Sequence, residues 1–329
     1  MENNESLIFI IIISVLAAII MAAVLALLLF YISFGLFGFV STCKKRKSDE
    51  TEKDDFCGGK VIPPYAEKAL RECRAWYDSA EGEDVYISSK DRLMLYGRLI
   101  THHEGSRGLV IFFHGFHSSC RRDLAIQIEG IYNDGYDVLC ASQRGHGKSG
   151  GRFLCFGVKE RYDVLSWCNY AIERFGNIPM ALMGLSMGGA TVNMASALPL
   201  PENVRCIIDD CGFTSPMAIT VNTLMHKNKI PPYPFVFFMD LWCILLAGYR
   251  LGQVSTLRTL KENTRPLLII HGELDTYVPT EMSRKNATVR EELTELVIIP
   301  EAKHAQSVYY DRDGYIRKVT EFLGKHMVA

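Results

Sequence analysis

The pentapeptide Gly184-Leu185-Ser186-Met187-Gly188 sets a serine between two glycines at G-x-S-x-G spacing, directly after the apolar run 179–183. A hydroxyl wanted only for hydrogen bonding has no need of such neighbours. The spacing fits a strand-to-helix turn that strains the serine backbone and brings the flanking residues too close for any side chain larger than hydrogen. The hydroxyl is then held out to a substrate. Because a serine hydroxyl is a poor nucleophile at neutral pH, a base must take its proton and an acid must orient that base. Two later stretches contain those residue types: His271-Gly272-Glu273-Leu274-Asp275 and Glu301-Ala302-Lys303-His304. The chain order Ser186, Asp275, His304 is the one that accompanies this turn. Two backbone N–H groups must also face a developing oxyanion; Met187, next after the serine, supplies one, and Phe116, next after His114-Gly115, the other. Asp210 of the pair Asp209-Asp210 stays open as a second candidate for the acid, and Glu273 reads as a loop-stabilising carboxylate.

These residues need elements to position them, and eight short β-rich runs recur at 84–88, 93–100, 108–113, 136–142, 179–184, 204–209, 266–270 and 295–299. From the third onward they alternate with helix-length segments. That rhythm predicts a mostly parallel eight-stranded sheet led by an antiparallel pair and covered by helices on both faces. Ser186, Asp275 and His304 then all fall past the carboxyl ends of strands, where parallel sheets build their sites. Residues 214–262 make an over-long connection between the sixth and seventh strands, dense in aromatics, and suggest a small helical lid. Phe235, Phe237, Phe238, Trp242 and Leu245 are its candidate substrate-pocket residues.

The motifs HGFHSS, SQRGHGKSGG, GLSMGGA, DDCGFTS, HGELDTYVP and EAKHAQS, between residues 114 and 307, resemble those of the α/β-hydrolase superfamily, and the resemblance runs from about residue 65 to the C-terminus. Within it the chain is similar to bacterial membrane-anchored serine hydrolases of the YqkD-like type. The resemblance implies Ser186 as nucleophile, Asp275 as acid, His304 as base, and Phe116 and Met187 as oxyanion donors. It implies no cofactor and leaves the substrate open, since such relatives include esterases, lipases, thioesterases and aminopeptidases. Gly145-His146-Gly147-Lys148-Ser149-Gly150 matches G-x-G-x-x-G, but it follows the fourth strand rather than opening a nucleotide-binding unit. Ser142 also stands where a phosphate-binding G-x-x-x-x-G-K loop has glycine, so the stretch reads as a structural turn.

Residues 6–43 carry no charge and are long enough to cross a bilayer, whose hydrocarbon core takes about 20 apolar residues. The preceding MENNE is acidic, unlike the basic start of a cleaved signal peptide, so 1–43 reads as an uncleaved anchor. Lys44-Lys45-Arg46-Lys47 follows directly, which puts the domain on the cytoplasmic side. Residues 44–60 read as a basic and polar tether, and 61–329 as the catalytic domain. The ten cysteines form no C-x-x-C, suggest no zinc site and fit a reducing compartment. With a net charge of −1 there is no electrostatic case for nucleic acid. Carboxylic ester hydrolysis leads; a peptidase, amidase or thioesterase on the same triad, and a catalytically silent membrane scaffold, are the alternatives.

Overall fold

The computed structural model describes residues 2–45, 63–102 and 105–327. In chain order the helices and strands are α1 (Glu2–Cys43), α2 (Pro64–Ser79), β1 (Glu83–Ser88), β2 (Met94–Ile100), β3 (Leu109–Phe113), α3 (Cys120–Asn133), β4 (Asp137–Ala141), α4 (Glu160–Phe175), β5 (Met180–Leu185) and α5 (Met187–Ala195). They continue with β6 (Val204–Asp210), α6 (Pro216–Asn222), α7 (Phe235–Trp242), α8 (Thr256–Thr259), β7 (Leu267–Gly272), α9 (Glu281–Ala287), β8 (Thr294–Ile299), α10 (Ser307–Tyr310) and α11 (Arg312–His326). The strands form one sheet in the order β1-β2-β4-β3-β5-β6-β7-β8. β1 and β2 pair antiparallel, as do β2 and β4, and the rest pair in parallel.

The central strands are buried on both faces, which explains why their sequences read as unbroken apolar runs. Alternate side chains still serve different layers: Val110 and Phe112 of β3 join the core under α2, α3 and α11, whereas Leu109, Ile111 and Phe113 join the core under α4 and α5. A third apolar cluster lies over the carboxyl ends of the strands. It joins Met187 and Met194 of α5 to Val236 and Met239 of α7 and to Phe39 and Cys43 of α1. The over-long connection therefore folds as short helices, two of them prolonged by single π-type turns at Thr223–Lys227 and Cys243–Ala247.

Helix α1 has two environments. The large apolar side chains between Leu7 and Phe30 are exposed, whereas Phe39 and Cys43 are fully buried against the domain. The tether expected at 44–60 begins as something else, because Lys44 bridges to Phe153 and the Lys45 ammonium donates to the Gly147 and Ser149 carbonyls at 2.7 and 2.8 Å. Residues 46–60 lie outside the described residues. The nine described cysteines are all buried free thiols.

Candidate active site

Ser186 sits between β5 and α5 at φ 56°, ψ −110°, a region that non-glycine residues rarely occupy. Its neighbours explain how the strain is held. A Cβ on Gly184 would overlap the Gly188 backbone, and one on Gly188 would overlap the Phe113 carbonyl. The Ser186 N–H donates to the Asp210 carbonyl at 2.7 Å, tying the turn to the neighbouring strand. Only 5% of the serine is exposed.

The chain's far end closes on this turn. His304 Nε2 lies 2.9 Å from Ser186 Oγ, and His304 Nδ1 lies 2.6 Å from Asp275 Oδ2. An ionised carboxylate can only accept, so Nδ1 carries the proton and Nε2 is left to accept from the serine. Asp275 Oδ1 accepts from the N–H groups of Tyr277 and Val278, both at 2.9 Å. Burial alone would raise the Asp275 pKa. The charge of His304 and the hydrogen bonds from His271 and His304 outweigh it and hold the carboxyl well below its usual range.

The second acidic candidate does other work. Asp210 Oδ2 accepts from the Tyr315 hydroxyl at 2.7 Å. Asp209 is wedged beneath α5, accepting from Asn193 Nδ2 at 2.6 Å and from the Gly212 N–H at 2.8 Å, and burial pushes its pKa up to about 7. Met187 is the first residue of α5, so its N–H is one of the helix-start donors that have no intrahelical acceptor. Phe116 lies in the turn after β3, its ring stacked on Phe156 at 5.6 Å.

A cavity of about 290 Å³ reaches this region through Phe116 and Tyr277, with Ser186 and His304 themselves outside its lining. Phe116 and Phe156 form one side, and Tyr277, whose ring centroid is 5.0 Å from that of His304, forms another. Leu224 closes it from the π-type turn after α6.

A family model described as serine aminopeptidase, S33 matches residues 104–225. The uncharacterized protein YqkD of Bacillus subtilis is 28% identical over 192 residues, which cover 57% of this chain and 62% of YqkD. Lysophosphatidylserine lipase ABHD12 of Mus musculus is 24% identical over 222 residues, 64% of this chain and 49% of that protein. The chain thus spans less than two thirds of the first relative and about half of the second. Among solved structures, the Pyrococcus furiosus esterase Pf2001 superposes with a TM-score of 0.63 at 24% identity, covering 82% of this chain and 98% of the esterase. The chain has the α/β-hydrolase fold.

In this fold the five lid residues expected to line a substrate pocket do not border the cavity that Phe116 and Tyr277 line. Phe235 packs on Phe34 at 4.3 Å, Phe238 stacks on Tyr31 at 6.1 Å, and the Trp242 indole N–H donates to the Ile32 carbonyl at 3.0 Å. Phe237 and Leu245 are more than half exposed. The physical reason for the correction is competition: the apolar face of α7 is taken by α1, and only Met239 of α7 reaches the cavity.

Three buried histidines shape the site without being part of the relay. His271 donates from Nε2 to Asp275 Oδ2 at 3.0 Å and to the Val278 carbonyl at 2.9 Å, while Nδ1 meets Ser283 Oγ at 2.6 Å. Burial lowers its pKa, but the bond and attraction to Asp275 prevail and raise it overall. His146 Nε2 accepts the His117 N–H at 3.1 Å, fixing the residue that follows Phe116. His114 Nε2 accepts the Gln143 N–H at 3.1 Å, joining the turns after β3 and β4. Each stands in a motif already singled out, but nothing in the spacing shows which backbone group an imidazole will meet. The GHGKSG stretch is a closed turn, its Gly145 N–H donating to the Gly150 carbonyl at 2.9 Å. Arg144 before it grips Asp163 at 2.6 and 2.7 Å and Asp91 at 2.8 and 3.0 Å.

Proposed function

We propose that this chain is a membrane-anchored serine hydrolase that cleaves carboxylic esters of acyl or other apolar substrates by way of an acyl-enzyme. The observation that carries the proposal is the buried relay from Ser186 through His304 to Asp275, with Tyr277 packed on His304 and also lining a largely apolar cavity. Ser186 Oγ attacks the ester carbonyl as its proton passes to His304 Nε2, and the N–H groups of Met187 and Phe116 receive the oxyanion. Collapse expels the alcohol, which takes the proton from His304. A water activated by the same imidazole then releases the acid and restores the serine.

An aminopeptidase would need an acidic group to hold the substrate ammonium. The cavity lining contains Lys227 and no carboxylate. Full-length protein in detergent, given matched p-nitrophenyl esters, aminoacyl p-nitroanilides and acyl thioesters, is expected to favour the esters by at least about a hundredfold in kcat/KM. A preference for the anilides would replace this proposal with a peptidase.

The exposed stretch of α1 fits a bilayer, because 24 residues from 7 to 30 span about 36 Å as a helix and the hydrocarbon core is roughly 30 Å thick. Basic residues after a span are retained on the cytoplasmic side, and Lys44 to Lys47 support a cytoplasmic domain on that rule. In intact right-side-out cells the domain is accordingly expected to resist added protease and to be digested only after lysis; digestion of intact cells would place it outside.

A further inference from the structure

Helix α1 does more at its carboxyl end than hold the domain to a membrane. Of the side chains around the cavity that Phe116 and Tyr277 join to the site, Phe34, Phe37, Ser41 and Thr42 come from α1, and Gly38 completes that wall. The helix is also keyed to the site by contacts that fix its rotation. Gly35 lies so close to Phe238 that a Cβ there would approach the Phe238 Cβ to 2.6 Å. One turn further on, Phe39 is fully buried and packs on Phe153 at 4.9 Å. At the end of the helix the Thr42 carbonyl accepts from His117 Nε2 at 2.8 Å, and His117 is the residue directly after Phe116. The 3.6-residue period then turns 34, 38, 41 and 42 to one side, toward the cavity, while 35 and 39 face the domain.

We infer that α1 is a wall of the substrate site, and that Phe37 and Gly38 set the length of acyl group the hydrolase accepts. The inference rests on Ser186 being the nucleophile of an ester hydrolase and adds the element that selects the substrate. Gly38 is the informative position. A Cβ there meets only the Met239 sulfur, at 3.8 Å, so a larger side chain can be added without a clash at its root and extends into the cavity. Leucine also favours a helix interior over glycine, so the substitution does not weaken α1. Phe37 is the converse case: it lines the cavity while 68% exposed, and its truncation opens space at little cost to the core.

The test uses full-length protein in detergent micelles. It compares kcat/KM for p-nitrophenyl butyrate, octanoate and dodecanoate, together with the rates at which butyl and dodecyl fluorophosphonates label Ser186. Each buried substrate methylene contributes about fourfold to specificity. Gly38→Leu is therefore expected to lower the octanoate-to-butyrate ratio by roughly tenfold or more. Phe37→Ala is expected to shift the preference the other way, toward dodecanoate. Val24→Leu, in the exposed stretch of the same helix, is expected to change neither ratio. Unchanged ratios in both cavity variants, with butyrate turnover and labelling retained, would overturn the inference and leave the serine mechanism standing. A uniform fall for every chain length in both variants would overturn it as well, because it would mark α1 as a structural support only. Absence of Ser186 labelling in the unaltered protein would instead remove the reading beneath it.

Discussion

Replacing Ser186 by alanine is expected to abolish ester turnover and fluorophosphonate labelling together, with a loss in kcat on the order of 10⁴ to 10⁶. The argument is local. Ser186 presents its hydroxyl at hydrogen-bond distance from His304 Nε2, and the backbone at φ 56° is built to hold it there. Alanine removes one oxygen and leaves the backbone bond from residue 186 to the Asp210 carbonyl in place. The melting temperature of Ser186→Ala is thus expected to stay within a few degrees of the unaltered protein, which separates lost chemistry from lost fold. Turnover retained at more than a few per cent would mean that another group attacks the substrate.

The second large effect discriminates between the acids. Asp275→Asn is expected to lower kcat by about 10⁴, because an amide facing His304 Nδ1 no longer fixes the tautomer that leaves Nε2 free to accept. Asp210→Asn is expected to stay within about tenfold, since its carboxylate meets Tyr315 rather than His304. The pH profile adds a sign. Asp275 is held well below the usual carboxylate range, so it keeps its charge as pH falls. The proton uptake that stops turnover on the acid side is then at His304, and activity is present above that limb and lost below it. In the Asp275→Asn variant the imidazolium loses its stabilising charge, and the acid limb of any residual activity is expected to move to lower pH. Equal damage from the two substitutions, or a limb that moves up, would contradict this assignment of the acid.

Much of this was legible in the sequence because it is carried by local rules. Alternating strand and helix segments foretell a parallel sheet, and the glycines around Ser186 mark a turn whose close backbone approach admits nothing larger. The chain order of Ser186, Asp275 and His304 then follows one arrangement of strand ends. What was not legible depends on long-range packing. Phe235, Phe238 and Trp242 look like pocket residues because aromatic density is all the sequence shows, and their partners Phe34, Tyr31 and Ile32 lie some 200 positions earlier in a helix that reads only as an anchor. His271 was visible beside Asp275. Yet its bond to the same carboxylate oxygen that serves His304 depends on the loop folding back on itself between Gly272 and Val278.

The most direct test of the central claim is to treat unaltered full-length protein with a fluorophosphonate, digest it, and locate the adduct by mass spectrometry. The account predicts a single stoichiometric adduct on the peptide containing Gly184-Leu185-Ser186-Met187-Gly188, lost in Ser186→Ala and strongly slowed in Asp275→Asn. An adduct on a different residue, or none in protein that is folded by its melting curve, would contradict it.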